Sequence, residues 1–252
     1  MKATALVTGG QQGIGLGIAT ALARAGFRIA IASDLAPDRP EVRAALDLLG
    51  EGARYFRHDL AEVANAPALI ERIEDGMGPI STLVQNAGVG ARVRGDMLDI
   101  TPENFDFVTG INLRGAFFLA QAVARRMLGR GEGPYRSISF VTSVSARMAN
   151  VERADYCVSK AGASMAAQAL ALRLAPEGIG VFELCPGIID TAMTAGVKEK
   201  YDARIRDGLV PAGRWGQPAD IGAVMVPIAT GQMAYATGAV IPVDGGLSIP
   251  RF

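Results

Sequence analysis

The sequence predicts one α/β domain over residues 1–252, a doubly wound parallel sheet of about seven strands with helices on both faces. Two observations lead there. Short β-branched or apolar runs alternate along the chain with amphipathic stretches of ten or more residues, and connections that long are crossovers that pair strands in parallel. No Pro/Ser-rich linker, charge run or internal repeat marks a boundary, and a chain of 252 residues is long enough to bury roughly 70–75% of its unfolded surface as one unit.

The elements follow in order. Residues 4–7 read as the first strand, 9–13 as a glycine turn and 14–25 as a helix stopped by Gly26. Residues 28–32 are the second strand, 40–49 a helix closed by Gly50, 54–57 the third strand and 66–77 a helix closed by Gly78. The fourth strand is 82–85. Thr101 caps a helix with Pro102 and Glu103 in its first turn, and this helical segment runs to Leu128. A fifth strand at 137–142, a helix at 154–175, a strand at 180–184, a helix at 218–230 and a last strand at 239–243 complete a Rossmann-type pattern. Such sheets bind ligands where strand order reverses, at the carboxyl ends of strands, so chemistry is sought just after each strand.

Composition narrows the function classes. Lys+Arg 25 balance Asp+Glu 25, which argues against a binder of nucleic-acid phosphates, since counterion release needs a basic field. Only Cys157 and Cys185 are present, no disulfide framework is visible, and the reading is a reducing cytoplasm. The first residues lack a signal-peptide h-region, and no apolar run near 20 residues suggests a membrane span. The single histidine, His58, has no carboxylate cluster around it, so no metal is expected.

The segment TGGQQGIG joins the first strand to the first helix. Gly9, Gly13 and Gly15, with Gln12 and Ile14 between them, let the backbone approach a pyrophosphate at the positive end of that helix. Asp34 follows the second strand, where a carboxylate accepts both ribose hydroxyls of an adenosine and repels a 2′-phosphate. No cation lies in the glycine loop, and the nearest after Asp34 is Arg39, so NAD is favoured over NADP. Asp59 and Leu60 after the third strand suit an adenine, and Asn86-Ala87-Gly88 after the fourth makes a turn near the adenosine ribose.

Tyr156 and Lys160 lie four apart and share a helix face. A nearby ammonium favours phenolate, so this pair can move a proton, and the same lysine can reach the cofactor ribose. By itself such a pair is an ordinary surface feature. Ser143, just beyond the fifth strand, and Asn112, in the long helix before it, give it meaning, because a serine hydroxyl can hold a carbonyl for the tyrosine proton. With one remote histidine a hydrolase triad has little support.

These motifs, in order and along the whole chain, resemble the short-chain dehydrogenase/reductases. TGGQQGIG matches their Thr-Gly-x-x-x-Gly-x-Gly turn, Asn86-Ala87-Gly88 their Asn-Ala-Gly segment, and Tyr156 with Lys160 their Tyr-x-x-x-Lys pair, with Ser143 placed as their serine is. The resemblance implies Tyr156 as general acid/base, Ser143 as substrate-positioning donor, Lys160 as tyrosine tuner and ribose ligand, and Asn112 as holder of a relay water. It implies that Pro186, Gly187, Ile189 and Thr191 fix the nicotinamide, and that residues 191–215 form a substrate lid. It also implies a homotetramer, or else a homodimer, with 237–238 and 243–246 in a region that packs against another subunit.

Met193, Val197, Tyr201, Ile205 and Leu209, spaced near four, suit one apolar helical face, either over the site or packed on the surface. Met148, Ala149 and Val151 would complete an apolar pocket, which favours a small or medium ketone or secondary alcohol. Among subfamilies the nearest in appearance is the 3-oxoacyl-carrier-protein reductases. Against that activity stand Asp34 and Glu177, where a carrier-docking arginine is expected, although Arg125, Arg126 and Arg130 offer other basic positions. A non-catalytic dinucleotide sensor or scaffold is the alternative of another class.

Overall fold

In the computed structural model, which describes residues 2–251, seven strands form one sheet: β1 (Thr4–Thr8), β2 (Arg28–Ser33), β3 (Ala53–Arg57), β4 (Ile80–Gln85), β5 (Arg136–Val141), β6 (Ile179–Pro186) and β7 (Val240–Val243). All neighbours pair in parallel, in the order β3-β2-β1-β4-β5-β6-β7. The chain builds outward from β1 to β3 and then crosses to the other side of β1, so the reversal lies between β1 and β4. Strands β1, β4 and β6 are buried along their whole length, as a parallel sheet covered on both faces requires.

Eight α-helices form among the described residues: α1 (Gly13–Arg24), α2 (Pro40–Leu49), α3 (Ala66–Met77), α4 (Pro102–Thr109), α5 (Ala116–Met127), α6 (Ala154–Leu174), α7 (Lys198–Arg206) and α8 (Pro218–Ala229). Strand alternation divides the core into two layers. Leu6, Leu83 and Ile138 point toward α3, α5 and α6, whereas Ala5, Val7 and Val84 point toward α1 and α8. Helices α1 and α8 touch backbone to backbone. A Cβ on Gly222 would stand 2.6 Å from the Gly17 carbonyl, and one on Gly17 would overlap Pro218, so these two glycines set the approach.

The expected elements all form, with ends displaced by a few residues. Two expectations need correcting. The segment after Thr101 is not one α-helix, because a π-helical turn over Gly110–Gly115 separates α4 from α5. Moreover Pro102–Met127 as a rod is long and apolar enough to cross a membrane by length and composition. Here Leu119, Val123 and Met127 on that rod are fully buried against the sheet, as in a core helix.

Arg126 in the last turn of α5 and Arg130 just beyond it both grip Glu74 on α3, Arg126 at 2.7 Å, and the Ile80 amide donates to the same carboxylate at 3.2 Å. Burial pushes the Glu74 carboxyl up, but these donors outweigh it and hold it below the ordinary glutamate value. An acid with a depressed folded pKa stabilises the fold above its unfolded value and loses that contribution as pH falls through the folded one. Glu74→Ala therefore lowers unfolding free energy by about 2 kcal/mol at neutral pH, and the gap from wild type closes as urea titrations move to pH values below the glutamate range. A gap that persists in acid would assign the loss to packing alone.

Candidate active site

A cleft opens at the carboxyl ends of β1 and β4, where strand order reverses. Its floor is the glycine turn. Gly9 and Gly13 sit at φ +64° and +51°, and a Cβ on Gly15 would overlap the Gly9 carbonyl. Asn86 welds this turn to β4: its Nδ2 donates to the carbonyls of Thr8 and Gly9 at 2.9 and 3.3 Å, and the amides of Asn86 and Ala87 donate to Thr8 Oγ1. At the start of α1, Gln12 is extended and gives no side-chain cap, and no acidic residue occupies the first turn. The first amides of α1 therefore remain for an anion.

A nicotinamide dinucleotide fits this cradle. Its pyrophosphate suits the turn, where a Cβ on Gly9 would crowd Ala87 and Asn86 and where the first amides of α1 carry no side-chain cap. Gly9, Gln12, Gly13, Ile14, Asp34, Asp59, Leu60, Asn86, Ala87 and Gly88 all line the cleft. Gly15 stands just behind, packed on the Gly9 carbonyl.

The part of the cleft at Asp34 carries two features that linear reading does not give. β2 pairs with β3 so that Arg57 lies beside Asp34, and its Nε donates to the Asp34 carbonyl at 3.1 Å. The nearest cation is thus Arg57, whereas Arg39 pairs with Glu41 at 3.1 Å. His58 also lines the cleft, and burial pushes its imidazole below the ordinary value, an effect that the Asp59 charge opposes. Asp59 itself is exposed and accepts from the Ala61 amide at 2.8 Å, which leaves its second oxygen open.

At the other end stand Tyr156 and Lys160, both on the cleft wall. Lys160 is buried, donates to the Val141 carbonyl at 3.0 Å, and lies 5.8 Å from the centre of the Tyr156 ring. Arg153 flanks the same ring at 5.4 Å. Gly88 makes room for this: a Cβ there would stand 3.4 Å from Lys160 Nζ and 3.0 Å from Asn112 Oδ1. Helix α6 is anchored by Asp155, which accepts from Asn104 at 2.6 Å and from the Tyr156 amide at 2.7 Å. Ser143 follows β5, next to Thr142, which lines the cleft as Ser143 itself does not; its Oγ accepts from the Ser145 amide at 3.1 Å, and the hydroxyl hydrogen has no partner among the described residues.

Several expected residues make further contacts. Both Nδ2 hydrogens of Asn112 are committed, to the Val89 carbonyl at 2.9 Å and Ser159 Oγ at 3.1 Å, and its Oδ1 accepts from the Val89 amide. The side chain braces the loop after β4 against α6. Of the segment after β6, only Thr191 lines the cleft, with Ala192 and Met193 beside it. Pro186 is buried at the end of β6, Gly187 backs onto Asp244, and Ile189 is buried in the core and bridged to Gly216. Met148, Ala149 and Val151 stay exposed and outside the cleft.

The apolar face over 193–209 is not one helix. Helix α7 covers only Lys198–Arg206, and Ile205 packs with Val210 and Leu247 in a small separate core, while Met193 stays exposed at the cleft. Lys198 ties α7 to Asp190 at 2.7 Å, and Trp215 donates to Asp202 at 2.6 Å. Most of that stripe is therefore a packed surface face.

Known proteins share this fold over nearly the whole chain. A family model described as enoyl-(acyl carrier protein) reductase matches residues 9–248. The structure of a 3-oxoacyl-[acyl-carrier protein] reductase from Brucella melitensis in complex with NAD superposes with a TM-score of 0.95 at 48% identity, covering 100% of this chain and 99% of that one. A structure from Agrobacterium tumefaciens with bound NADP gives 0.85 at 30% identity, covering 97% and 96%. The 3-oxoacyl-[acyl-carrier-protein] reductase MabA of Mycobacterium tuberculosis (strain ATCC 25618 / H37Rv) is 34% identical over 97% of this chain and 92% of its own. With the glycine turn, the Tyr156–Lys160 pair and end-to-end similarity in agreement, the chain belongs to the short-chain dehydrogenase/reductase family of oxidoreductases.

Proposed function

We propose that this chain is an NAD(H)-dependent oxidoreductase that passes a hydride between nicotinamide and a small or medium secondary alcohol or ketone, with Tyr156 as general acid/base. The observation that carries this reading is the placement of Tyr156 and Lys160 on the wall of a cleft whose far end finishes at Asp34. The bound cofactor supplies or accepts the hydride. Tyr156 Oη gives a proton to the carbonyl oxygen in reduction and takes it from the hydroxyl in oxidation. Ser143 Oγ donates to that oxygen and holds it in reach. Lys160, fixed on the Val141 carbonyl, keeps a positive charge beside the tyrosine ring and has further hydrogens for a ribose. Thr191 closes over the glycine turn, its Cγ2 3.4 Å from where a Gly13 Cβ would stand.

The choice of NAD rests on Asp34, with Arg57 engaged on its backbone carbonyl. Wild type is expected to bind NAD at least about tenfold (~1.4 kcal/mol) more tightly than NADP, and Asp34→Ala to narrow that ratio. Calorimetric titration with both nucleotides checks it, and stronger wild-type binding of NADP rejects it.

A second reading, 3-oxoacyl-carrier-protein reduction, gains from the Brucella relative of that name. Against it, Arg126 and Arg130 are committed to Glu74, Glu177 pairs with Arg173, and only Arg125 remains of the three arginines considered for an acidic carrier. Assays of NADH oxidation and NAD reduction over a panel of ketones and alcohols, with acetoacetyl-CoA and an acetoacetyl carrier protein among them, separate the readings. Binding without turnover across the panel would favour a dinucleotide sensor. The family reading carries with it a homotetramer, or a homodimer, in the cytoplasm, and the exposed Val158, Met165 and Leu172 on α6 suit a subunit contact; light scattering of the purified chain tests the assembly.

A further inference from the structure

Strand β6 is a buried run of small and apolar side chains broken by one charge, Glu183, which is 1% exposed. An ionised carboxylate there loses several kcal/mol of hydration, and replacing such a group with a well-packed apolar one is often neutral or stabilising. Its presence therefore asks for a reason other than stability.

The donors around it supply one. Thr142 Oγ1 donates to Glu183 Oε1 at 2.6 Å, and Ser164 Oγ donates to Oε2 at 2.7 Å. Arg147 reaches both oxygens at 3.4 Å, and its other nitrogen contacts include Ser164 Oγ at 3.3 Å. The Cys185 thiol donates to Oε1 at 3.0 Å, and burial pushes that thiol up to about 11, so it remains a donor at neutral pH. Burial also pushes the Glu183 carboxyl up, but the four donors outweigh it and keep the group ionised. Thr142 immediately precedes Ser143, Arg147 lies four residues after it, and Ser164 lies one helical turn beyond Lys160 on α6. One carboxylate thus grips the chain on both sides of Ser143 and ties it to the helix that bears Tyr156 and Lys160.

We propose that Glu183 is a positioning residue, whose buried carboxylate sets Ser143 in register with the Tyr156–Lys160 pair through Thr142, Arg147 and Ser164. The inference rests on Ser143 being the substrate-positioning donor. Loss of the clamp leaves most of the cofactor site in place, because Glu183, Arg147 and Ser164 stand off the cleft and Thr142 is the one member of the clamp that lines it. It lets the turn after β5 drift, and a displacement of about 1 Å in a reacting group costs up to about 100-fold in rate.

The test uses the full-length chain with NADH and acetoacetyl-CoA. Glu183→Leu is expected to lower kcat about tenfold or more with the KM for NADH within about twofold, and Glu183→Gln, which keeps the Thr142 and Ser164 contacts, to recover most of it. In a Ser143→Ala background the Glu183→Leu step should change kcat less than about twofold, since the clamp then has nothing to position. A second readout needs no substrate: amide hydrogen exchange in peptides spanning 142–149 should quicken at least about tenfold in Glu183→Leu, with α1 peptides unchanged. Equal losses in both backgrounds, or exchange at the wild-type rate, overturn the clamp. An inert Ser143→Ala in a wild type that turns over overturns it together with the serine's role. If wild type does not reduce acetoacetyl-CoA, that substrate fails and the exchange measurement alone decides the clamp.

Discussion

Tyr156→Phe lowers turnover at least about 100-fold while leaving NAD affinity within about twofold of wild type. The substitution removes one oxygen and little else. The ring keeps its place between Arg153 and Lys160, and among the described residues the hydroxyl makes no hydrogen bond, so the fold loses no partner with it. Lys160 stays fixed on the Val141 carbonyl and remains available to the ribose. Only proton transfer is lost, and the lower end of the range for general acid–base catalysis sets the expected factor. Steady-state rates with the best substrate of the panel, alongside NAD titration, give both numbers. Near-normal turnover would remove Tyr156 from the role of acid/base and pass the proton to another group.

The parts of this site legible in sequence are those fixed by local backbone. The glycine turn, the strand ends at Asp34, Asp59 and Asn86, and the i,i+4 pair on α6 each follow from residues close in the chain, and the cleft brings them together. What sequence missed depends on pairing across the fold. Arg57 is remote from Asp34 along the chain and becomes its neighbour only through the register of β2 with β3. Arg126 and Arg130 read as outer-face charges until α3 packs Glu74 against them. Ile189, which the family resemblance implies as a cofactor contact, carries its side chain into the core, with a backbone bridge to Gly216 that sequence does not show. Asn112 sits at the expected point, but the π turn around it and the nearby Val89 and Ser159 absorb its hydrogens. Glu183 escaped notice because a lone charge in an apolar run gives no sign of which donors will surround it.

Gly15→Ala weakens NAD binding at least about 100-fold, about 2.8 kcal/mol, and does so by moving backbone. The added methyl would overlap the Gly9 carbonyl and crowd Asn86 Nδ2, and neither can yield cheaply. Gly9 is pinned by its amide N–H, which donates to the Ala32 carbonyl at 2.8 Å, and Asn86 Nδ2 donates to the carbonyls of Thr8 and Gly9. The turn must lift from the head of α1, and the amides left open for a pyrophosphate lose their common aim. The fold should survive with a loss of about 1–3 kcal/mol, the usual range for overpacking, because the overlap falls on the turn that follows β1 and not on a strand of the sheet. Its signature is the reverse of that of Tyr156→Phe: the dissociation constant for NAD rises, while kcat at saturating cofactor changes much less. Wild-type affinity in a folded Gly15→Ala protein would mean that the phosphates do not sit on this turn, and the direction of the whole cleft, with Asp34 at the adenosine end and Tyr156 at the nicotinamide, would have to be reassigned.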